Sequence, residues 1–352
     1  MSYALPRPRA NHPFLRRSAD MLQVGLDRGT AGILTGVSDV VMHALVRLDG
    51  SIPRGQLTAT LPELEESLDA LERLGLIEDS QRASTSLSHL RRQRLLNEHQ
   101  VLAAAHGSHD AADEILARRS GSVVGIRGSD RVAALTAVGL ACAGIGTVAL
   151  LGPDHPVAIC EMTPAGPFEP EIGWVEQLSE AVRRQGSHAS LGRNQILDLV
   201  VISHAADVQL PWTDPELAHD LIAEDIPHYP IAVSGAMGRV GPLIIPGITP
   251  CLECLNLRET DRDRAWPALI DQIRLRHHRS RAQDATVAGL CAAVAVGEIL
   301  EYLDQGAELW AARESHYYME FCASDPAPAV VPAAPHPLCG CGWGHLPHTM
   351  ES

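Results

Sequence analysis

The stretch Ser122–Leu151, SVVGIRGSDRVAALTAVGLACAGIGTVALL, decides the fold of this chain. It opens with a short apolar run, typical of a buried strand, that leads into a turn at Gly128. An alanine-rich segment, Val132–Ala143, has the composition of a buried helix, and Thr147–Leu151 is a second apolar strand. Strand, helix and strand in this order predict a βαβ unit, whose two strands run parallel in one sheet.

The same alternation continues downstream of this unit. Leu197–Ser203 predicts a third buried strand, and two short strands are expected at Pro230–Gly235 and Val240–Gly247. A long Ala/Val-rich helix, Ala285–Leu303, follows, and residues 316–322 predict a further strand. These elements predict an α/β fold with a Rossmann-type doubly wound sheet, whose ligand crevice lies at the carboxyl ends of the parallel strands.

A different pattern precedes the sheet. Met21–Leu26 predicts a short strand, Asp39–Leu48 a first helix, and Leu61–Leu74 a second helix with a leucine stripe. This order predicts a small winged helix-turn-helix domain at the N-terminus. The predicted divisions of the chain are a winged-helix domain over 1–85, a helical linker over 86–118, an α/β domain over 119–324 and a C-terminal tail over 325–352 that begins as a Pro/Ala-rich spacer.

Composition narrows the possible functions. The 352 residues include 28 Lys and Arg against 43 Asp and Glu, which gives a formal net charge of −15. We therefore expect no general attraction to nucleic acid or to an anionic membrane. A winged helix usually binds DNA, but the second predicted helix is acidic and Arg73 is its only base. A DNA-binding regulator is the weakest of the alternatives.

Cellular location is also indicated by what the sequence lacks. No run of about 18 apolar residues and no N-terminal signal peptide is evident, which predicts a cytoplasmic protein. Eight cysteines among 352 residues are too sparse for a disulfide scaffold. In a reducing compartment, the relevant question is which of them bind metal.

Two close cysteine pairs predict a metal site. Cys251 and Cys254 form a CxxC pair, and Cys339 and Cys341 form a CxC pair. Four thiolates in two short pairs match a closed, tetrahedral and structural Zn²⁺ site. Such a site pins the C-terminal tail onto the turn at the CxxC pair. The alternative is a free redox-active CxxC, which the second pair makes less favourable.

Other cysteines and histidines have simpler interpretations. The cysteines in apolar contexts are expected to be buried packing residues: Cys142, Cys160, Cys291 and Cys322. Three histidines flank the terminal cysteine pair and are candidates to replace one metal ligand: His336, His345 and His348. The pair His277-His278 lies in a basic run and is expected in a solvated loop.

The order of elements, together with three motifs, resembles a known family. The motifs are the phrase VGPLIIPGITPCLECL at Val240–Leu255, the Trp266-Pro267 that follows it, and the terminal Cys339-Gly-Cys341. They resemble the E1-like adenylating fold of sulfur-carrier and ubiquitin activation. The chain looks more like the divergent E1-like proteins of azole-forming peptide pathways, in which a winged-helix peptide clamp precedes the E1-like body. The resemblance also implies a homodimer.

The resemblance predicts an ATP site that this sequence does not maintain. In the family's glycine-rich turn only Gly128 is present, while Asp130 and Ala133 occupy the other two glycine positions. Gly152 stands where a strand-terminal aspartate normally binds the ribose, and Ala205 where an aspartate normally helps to hold magnesium. An aspartate in the turn would repel phosphate. We therefore expect a degenerate nucleotide site and no ATP binding.

The predicted function is recognition of a peptide. The resemblance implies that the chain binds the leader region of a ribosomally made precursor peptide and presents it to a partner cyclodehydratase. An extended peptide would add to the sheet edge of the N-terminal domain. The candidate contacts are Met21, Leu22 and Val24 on an expected edge strand, and Leu68, Leu71 and Arg73 on the second helix. The alternative is an active E1-like adenylyltransferase acting on a peptide or carrier-protein C-terminus.

Overall fold

A computed structural model of the chain shows a mixed α/β fold. The structure describes residues 3–9, 12–26, 31–80, 87–152, 154–157, 169–192, 195–204, 215–275, 282–312 and 316–341. The chain divides into two compact units, Met1–Ala117 and Arg118–Ser352. The predicted α/β class is confirmed.

The first unit combines short antiparallel strands with helices. Its strands are β1 (Pro6–Pro8), β2 (Phe14–Arg16), β3 (Met21–Val24), β4 (Gly32–Thr35) and β5 (Ile77–Asp79). Its helices are α1 (Asp39–Val46), α2 (Arg54–Thr60), α3 (Leu64–Arg73), α4 (His89–Arg94), α5 (Leu96–His106) and α6 (His109–Gly121), the last of which runs across the boundary between the units. The strands form a three-stranded sheet in the order β2-β3-β4 and a two-stranded sheet of β1 and β5.

The expectation of an edge strand at Met21–Val24 is wrong. These residues form β3, the central strand, which pairs with β2 on one side and with β4 on the other. Strand order depends on pairing between distant segments, so a single apolar run gives no information about it. The unpaired edges of this sheet belong instead to β2 and β4, within the described residues.

The leucine stripe predicted on α3 is confirmed for three of its four leucines, since Leu74 is 58% exposed. The acidic face of the helix has a role that the sequence did not indicate. Leu64, Leu68 and Leu71 are buried in the core of the first unit. On a neighbouring face, the acidic side chains contact the buried guanidinium of Arg54: the partners are Glu65, Asp69 and Glu72. Arg54 begins α2, a short helix that was not predicted. The acidity of α3 therefore serves an internal ion network.

The second unit is built on one large sheet. Its strands are β6 (Val123–Arg127), β7 (Thr147–Leu150), β8 (His188–Leu191), β9 (Leu199–His204), β10 (His228–Ser234), β11 (Met237–Val240), β12 (His316–Cys322) and β13 (Asp325–Ala333). Its helices are α7 (Arg131–Cys142), α8 (Trp174–Arg184), α9 (Pro215–Ala223), α10 (Leu252–Arg262), α11 (Trp266–Leu275), α12 (Ala285–Gln305) and α13 (Ala307–Ala311). The strand order is β13-β12-β11-β10-β9-β6-β7-β8.

The predicted βαβ unit lies at the centre of this sheet. Strand β6 pairs in parallel with β7 and with β9, and β8 and β10 extend the parallel part on either side. Three antiparallel strands, β11 to β13, complete the other end. The carboxyl ends of β6 and β9 are neighbours, so the residues after Arg127 and after Ile202 meet there. This is the edge where a doubly wound sheet places its ligand crevice.

The proline-rich spacer predicted at residues 325–337 is mostly a strand. Residues 325–333 form β13, which pairs antiparallel with β12. Proline lacks an amide hydrogen, but an edge strand needs hydrogen bonds on one side only. The spacing of Pro326, Pro328 and Pro332 keeps all three on alternate residues, which is compatible with pairing to β12 alone. The tail from 325 therefore continues the sheet before it reaches the terminal cysteines.

Helix α12 is the one described helix that is long and apolar enough to span a membrane, by length and composition alone. No such run was recognised in the sequence. In the structure, its buried residues Val287, Cys291, Ala295 and Ile299 belong to the main core of the second unit, together with residues of β10 and α7. We interpret α12 as a core helix, because a sheet covered by helices buries a strongly apolar helix face.

Candidate metal centre and nucleotide crevice

The structure brings the two cysteine pairs together. The Sγ atoms of Cys251, Cys254, Cys339 and Cys341 all lie within 4.8 Å of one another. Individual Sγ–Sγ distances are 3.8 Å for Cys251–Cys254 and 3.5 Å for both Cys251–Cys339 and Cys254–Cys341. A tetrahedral ion with Zn–S bonds of ~2.3 Å separates its sulfur ligands by about 3.8 Å. The four thiols therefore fit a single tetrahedral metal ion.

Local structure positions the first cysteine pair. Cys251 is the residue before α10, and Cys254 lies in the first turn of that helix. The preceding turn is fixed by buried Thr249, whose Oγ1 accepts from the Ile245 amide at 2.8 Å and donates to the Leu243 carbonyl at 3.0 Å. Two thiols on one helical turn can bind one ion without backbone strain.

Contacts from α10 position the second cysteine pair. The Arg258 guanidinium donates to the backbone carbonyls of Ala334 and Pro335, both at 2.8 Å. His336 Nε2 contacts the Asp261 carboxylate at 2.9 Å. These contacts hold the chain just before Cys339 against the helix that carries Cys254. The tail is therefore placed by protein contacts as well as by the thiol cluster.

Three of the four thiols have shifted pKa values, which indicate where protons must be released when a metal ion binds. The Cys251 thiol donates a hydrogen bond to Cys254, which lowers the pKa of Cys254 to about 4 and raises that of Cys251. Burial raises the pKa of Cys341 to about 12. At neutral pH, Cys254 is thus a ready thiolate, while Cys251 and Cys341 hold protons that a divalent cation must displace.

The remaining cysteines and histidines are only partly as predicted. Cys291 is buried, as expected, but Cys142 is exposed and Cys322 is partly exposed, so the expectation of buried packing is wrong for these two. Buried His336 is bound to a carboxylate and is not a member of the thiol cluster. The other residues of these predictions lie outside the described ranges: Cys160, His277, His278, His345 and His348.

The predicted nucleotide crevice contains a closed hydrogen-bond network. Asp130, which is 2% exposed, accepts from the amide of Ala133 at 2.8 Å and from Ser203 Oγ at 2.8 Å. Its second oxygen accepts from Gln283 Nε2 at 3.2 Å, and Gln283 Oε1 accepts from the Val132 amide at 3.3 Å. Phosphates usually bind the free amides at such a helix N-terminus. In this chain, two of those α7 amides already donate to side chains: Val132 to Gln283 and Ala133 to Asp130.

Close backbone packing fills the space around this network. A Cβ atom at Gly128 would lie 2.7 Å from Ser203 Cβ, and one at Gly152 would overlap the carbonyl oxygen of Gly128. Side chains cannot approach that closely without displacing the backbone. Gly152 is the residue that the sequence analysis placed at a ribose-binding position, and an aspartate does not fit there in this conformation. Ala205, the remaining predicted position, lies outside the described residues.

Sequence reasoning missed two members of this network. Ser203 and Gln283 lie 73 and 153 residues after Asp130 in the chain. The sequence suggested that Asp130 would repel phosphate, whereas the structure shows its carboxylate as the acceptor that completes the turn. The available signal was that Asp130 directly precedes a helix, the position where aspartate is a preferred N-cap.

Most of the predicted peptide contacts are not accessible. Leu22, Val24, Leu68 and Leu71 are fully buried in the core of the first unit, so the structure contradicts their assignment as contacts. The two other predicted contacts have accessible side chains: Met21 is half-buried and Arg73 is exposed. A peptide that binds this unit must use other residues of the same elements.

Comparison with known proteins shows where the fold defined by these features occurs. No family model matches the chain, and no curated protein matches it. Solved structures do. A crystal structure of E. coli MccB with ATP has a TM-score of 0.60 at 14% sequence identity and covers 96% of this chain and 99% of that chain. At such identity, the likeness shows the fold alone.

Two further structures agree. The microcin C7 biosynthetic enzyme MccB in complex with N-formylated MccA has a TM-score of 0.60 at 15% identity and covers 96% of this chain and 99% of that chain. PaaA has a TM-score of 0.62 at 15% identity and covers 92% of this chain and 98% of that chain. Because the alignments span nearly the whole of each chain, the fold includes both units.

Proposed function

We propose that this chain binds the leader region of a ribosomally made precursor peptide and presents it to a partner modifying enzyme of the cyclodehydratase type, without adenylating it. The observation that carries the second half of this proposal is the Asp130 network. A phosphate at the N-terminus of α7 would have to displace a buried carboxylate that already accepts several hydrogen bonds. That exchange would leave the buried carboxylate without its donors, at a cost of ~1–3 kcal/mol for each buried group left unsatisfied.

The peptide-binding half of the proposal rests on the edge of β4. This strand pairs with β3 on one side, and no described strand pairs with its other side. A Cβ atom at Gly32 would contact the Leu76 side chain, just after α3. At the other end, Ser38 Oγ contacts Glu63, just before α3, at 3.3 Å. These two contacts support a strand that runs beside α3 in the opposite direction, which is the arrangement expected of a winged helix whose edge accepts an extended peptide.

The face of α3 toward β4 suits a bound peptide. Ser67, Ala70 and Leu74 follow Glu63 at spacings of four, three and four residues, so they share its side of the helix. Ser67 and Ala70 are small and half-buried, and Leu74 is 58% exposed. On β4, Gly32 points to the side of Leu76 and carries no side chain of its own. Small residues in a groove leave room for apolar side chains of an added strand.

A binding experiment tests this half directly. The labelled peptides are those encoded beside the gene, and fluorescence anisotropy measures their affinity for the full chain without ATP. We expect Ala70→Trp to weaken binding at least tenfold because it fills the groove. The matched control is Val101→Trp on α5, where the side chain is 65% exposed. Equal loss in both variants, or no binding by the parent chain, would reject the proposed groove.

The second candidate is an active adenylyltransferase. It is favoured by the neighbour MccB, whose crystal structures include complexes with ATP and with N-formylated MccA. Peptide-dependent exchange of pyrophosphate into ATP distinguishes the two functions. We expect no exchange and no micromolar binding of ATP with magnesium. Clear turnover would establish the second candidate and reject the first.

The four-cysteine cluster contributes a structural metal site to the proposed function. We infer that the four-cysteine cluster holds a structural Zn²⁺, because all four tetrahedral positions are filled by soft protein ligands. Bound metal would hold the C-terminal tail to α10 and would offer no open position for a substrate. A homodimer and a cytoplasmic location stay predictions, as do the four divisions of the chain. Mass measurement of the intact protein in solution tests the dimer.

A further inference from the structure

The first unit contains a cavity that the proposed function does not use. Its volume is about 180 Å³, and it lies beside β1 and the helices α4 to α6. The lining residues are Arg7, Leu87, Arg92, Leu96, His99, Asp113 and Leu116. A dry cavity of ~150 Å³ is large enough to hold benzene. The space therefore fits a compact apolar group of about the size of one ring, against the leucine side chains.

One wall of the cavity is formed by a partly buried arginine, Arg7, with one unmet hydrogen-bond donor. Arg7 Nε donates to Glu78 Oε1 at 2.8 Å. The Nη2 atom of Arg7 is buried and has no hydrogen-bond partner among the described residues. A buried, unpaired guanidinium donor is costly, and an anionic oxygen satisfies it best. An acceptor inside the cavity would satisfy this atom.

The two carboxylates around the cavity each have a partner, whereas one of its two arginines does not form an ion pair with a described residue. Glu78 is paired with Arg7, and Asp113 with His99, whose Nε2 lies 3.2 Å from the carboxylate. His109 stacks on His99 and also faces Glu78. Exposed Arg92 lines the cavity and forms no ion pair with a described residue. An anion between the two arginines would thus meet one buried donor and one uncompensated charge.

We propose that this cavity binds a carboxylate attached to a compact apolar group. The carboxylate accepts from Arg7 Nη2 and lies near Arg92, while the apolar part contacts Leu87, Leu96 and Leu116. The same chemistry is offered by a free aryl acid and by the C-terminal phenylalanine of a peptide. This site is separate from the proposed peptide groove, which lies between β4 and α3, and it does not depend on that groove.

Isothermal titration of the full chain with phenylacetate tests the charge requirement. Phenylacetamide is the matched neutral probe, since it has the same ring and nearly the same shape. We expect phenylacetate to bind at least about tenfold more tightly, because a hydrogen bond to a charged group is worth ~1.5–3 kcal/mol. Equal affinity for the two probes would reduce the cavity to an apolar hole and overturn the proposal, as would no binding of either.

Variants at the open side of the cavity test its location. Arg92→Gln should weaken phenylacetate binding about two- to fivefold, in the range of a half-exposed ion pair. The matched control, Arg94→Gln, removes an exposed arginine of the same helix that does not line the cavity and should leave binding unchanged. Leu96→Trp should block binding of both probes. Equal effects of the two arginine variants would overturn the assigned location.

The source of the carboxylate is distinguished with a short peptide. Acetyl-Ala-Phe with a free C-terminus is compared with its C-terminal amide. Tighter binding of the free acid than of phenylacetate supports a polypeptide C-terminus, and the reverse supports a small acid. Circular dichroism of each variant confirms that it is folded. Loss of phenylacetate binding in Arg7→Gln, with an unchanged spectrum, would support the buried donor as the anchor, and retained binding would overturn it.

Discussion

The thiol cluster and the Asp130 network both bring together polar groups from distant parts of the second unit, yet they differ in what they need. The thiol cluster collects four groups of one kind, which one soft cation can satisfy together. The Asp130 network combines an acceptor with several donors, which satisfy one another. A set of like groups indicates a ligand, whereas a set of complementary groups closes a site.

The largest expected effect comes from removing one like group. Cys254→Ser should release the bound metal and lower the free energy of unfolding by several kcal/mol, since structural zinc contributes ~10 kcal/mol or more in small domains. Metal analysis by mass spectrometry and thermal unfolding measure the two effects. Cys322→Ser, outside the cluster and partly exposed, is the control. A full equivalent of metal retained by Cys254→Ser would show that the four thiols do not form one site.

Removing one member of the Asp130 network should lower the free energy of unfolding less than removing one cysteine, and it should not create a new function. Asp130→Ala removes an N-cap, worth ~1 kcal/mol, and leaves buried donors unpaired at ~1–3 kcal/mol. We expect a total loss of about 3 kcal/mol in urea unfolding. The control is Asp154→Ala, which removes an exposed acceptor from the amide of Val175. Its cost should be near that of a cap alone, about 1 kcal/mol.

Asp130→Ala should also fail to create an ATP site. Gly152 is still packed against the carbonyl of Gly128, so the position of a ribose-binding carboxylate stays closed. Micromolar binding of ATP by this variant would mean that one carboxylate alone closes the crevice, and that the backbone around it can open. In that case the complementary side chains would close the crevice, whereas the backbone packing would not.

How far each site was predictable follows from where its information lies in the chain. The βαβ unit and the two cysteine pairs are local patterns, so spacing alone predicted them. The central position of β3 and the partners of Asp130 depend on pairing across many residues, for which a single sequence has no local signal. The strand at residues 325–333 was missed because its prolines, which are typical of a spacer, are tolerated at a sheet edge.

The affinity of the thiol cluster for metal should depend on pH, which is a further difference from the Asp130 network. Without metal, the raised pKa of Cys251 and the pKa of about 12 for Cys341 keep both thiols protonated at neutral pH. Metal binding must release these two protons, so affinity should fall as pH falls. The expected change is at least about a hundredfold, or ~2.7 kcal/mol, for each pH unit near neutrality.

A competition titration with a chromophoric chelator at pH 6.5 and 7.5 measures this slope, and a weakly buffered solution with a pH dye counts the protons released. A tenfold change would indicate that only one thiol titrates on binding. An affinity that does not change with pH would show that the cluster is already fully ionised, and that its like charges are held together by something other than metal.

Arg54 and its carboxylate partners are an intermediate case between the thiol cluster and the Asp130 network. Its three carboxylate partners are like groups, but the chain supplies their cation. Arg54→Met should therefore destabilise the first unit by only about 1–2 kcal/mol, because the side chains of Glu65 and Asp69 are 48% and 56% exposed and can regain water. The exposed pair of Arg184 and Glu180 supplies the control, Arg184→Met, with a loss near zero. Added salt should partly restore Arg54→Met by screening the unpaired carboxylates. A loss above about 4 kcal/mol would mean that these carboxylates behave as buried groups. The thiol cluster, which takes its cation from solution, and this cluster, whose cation is Arg54, would then respond to loss of the cation in the same way.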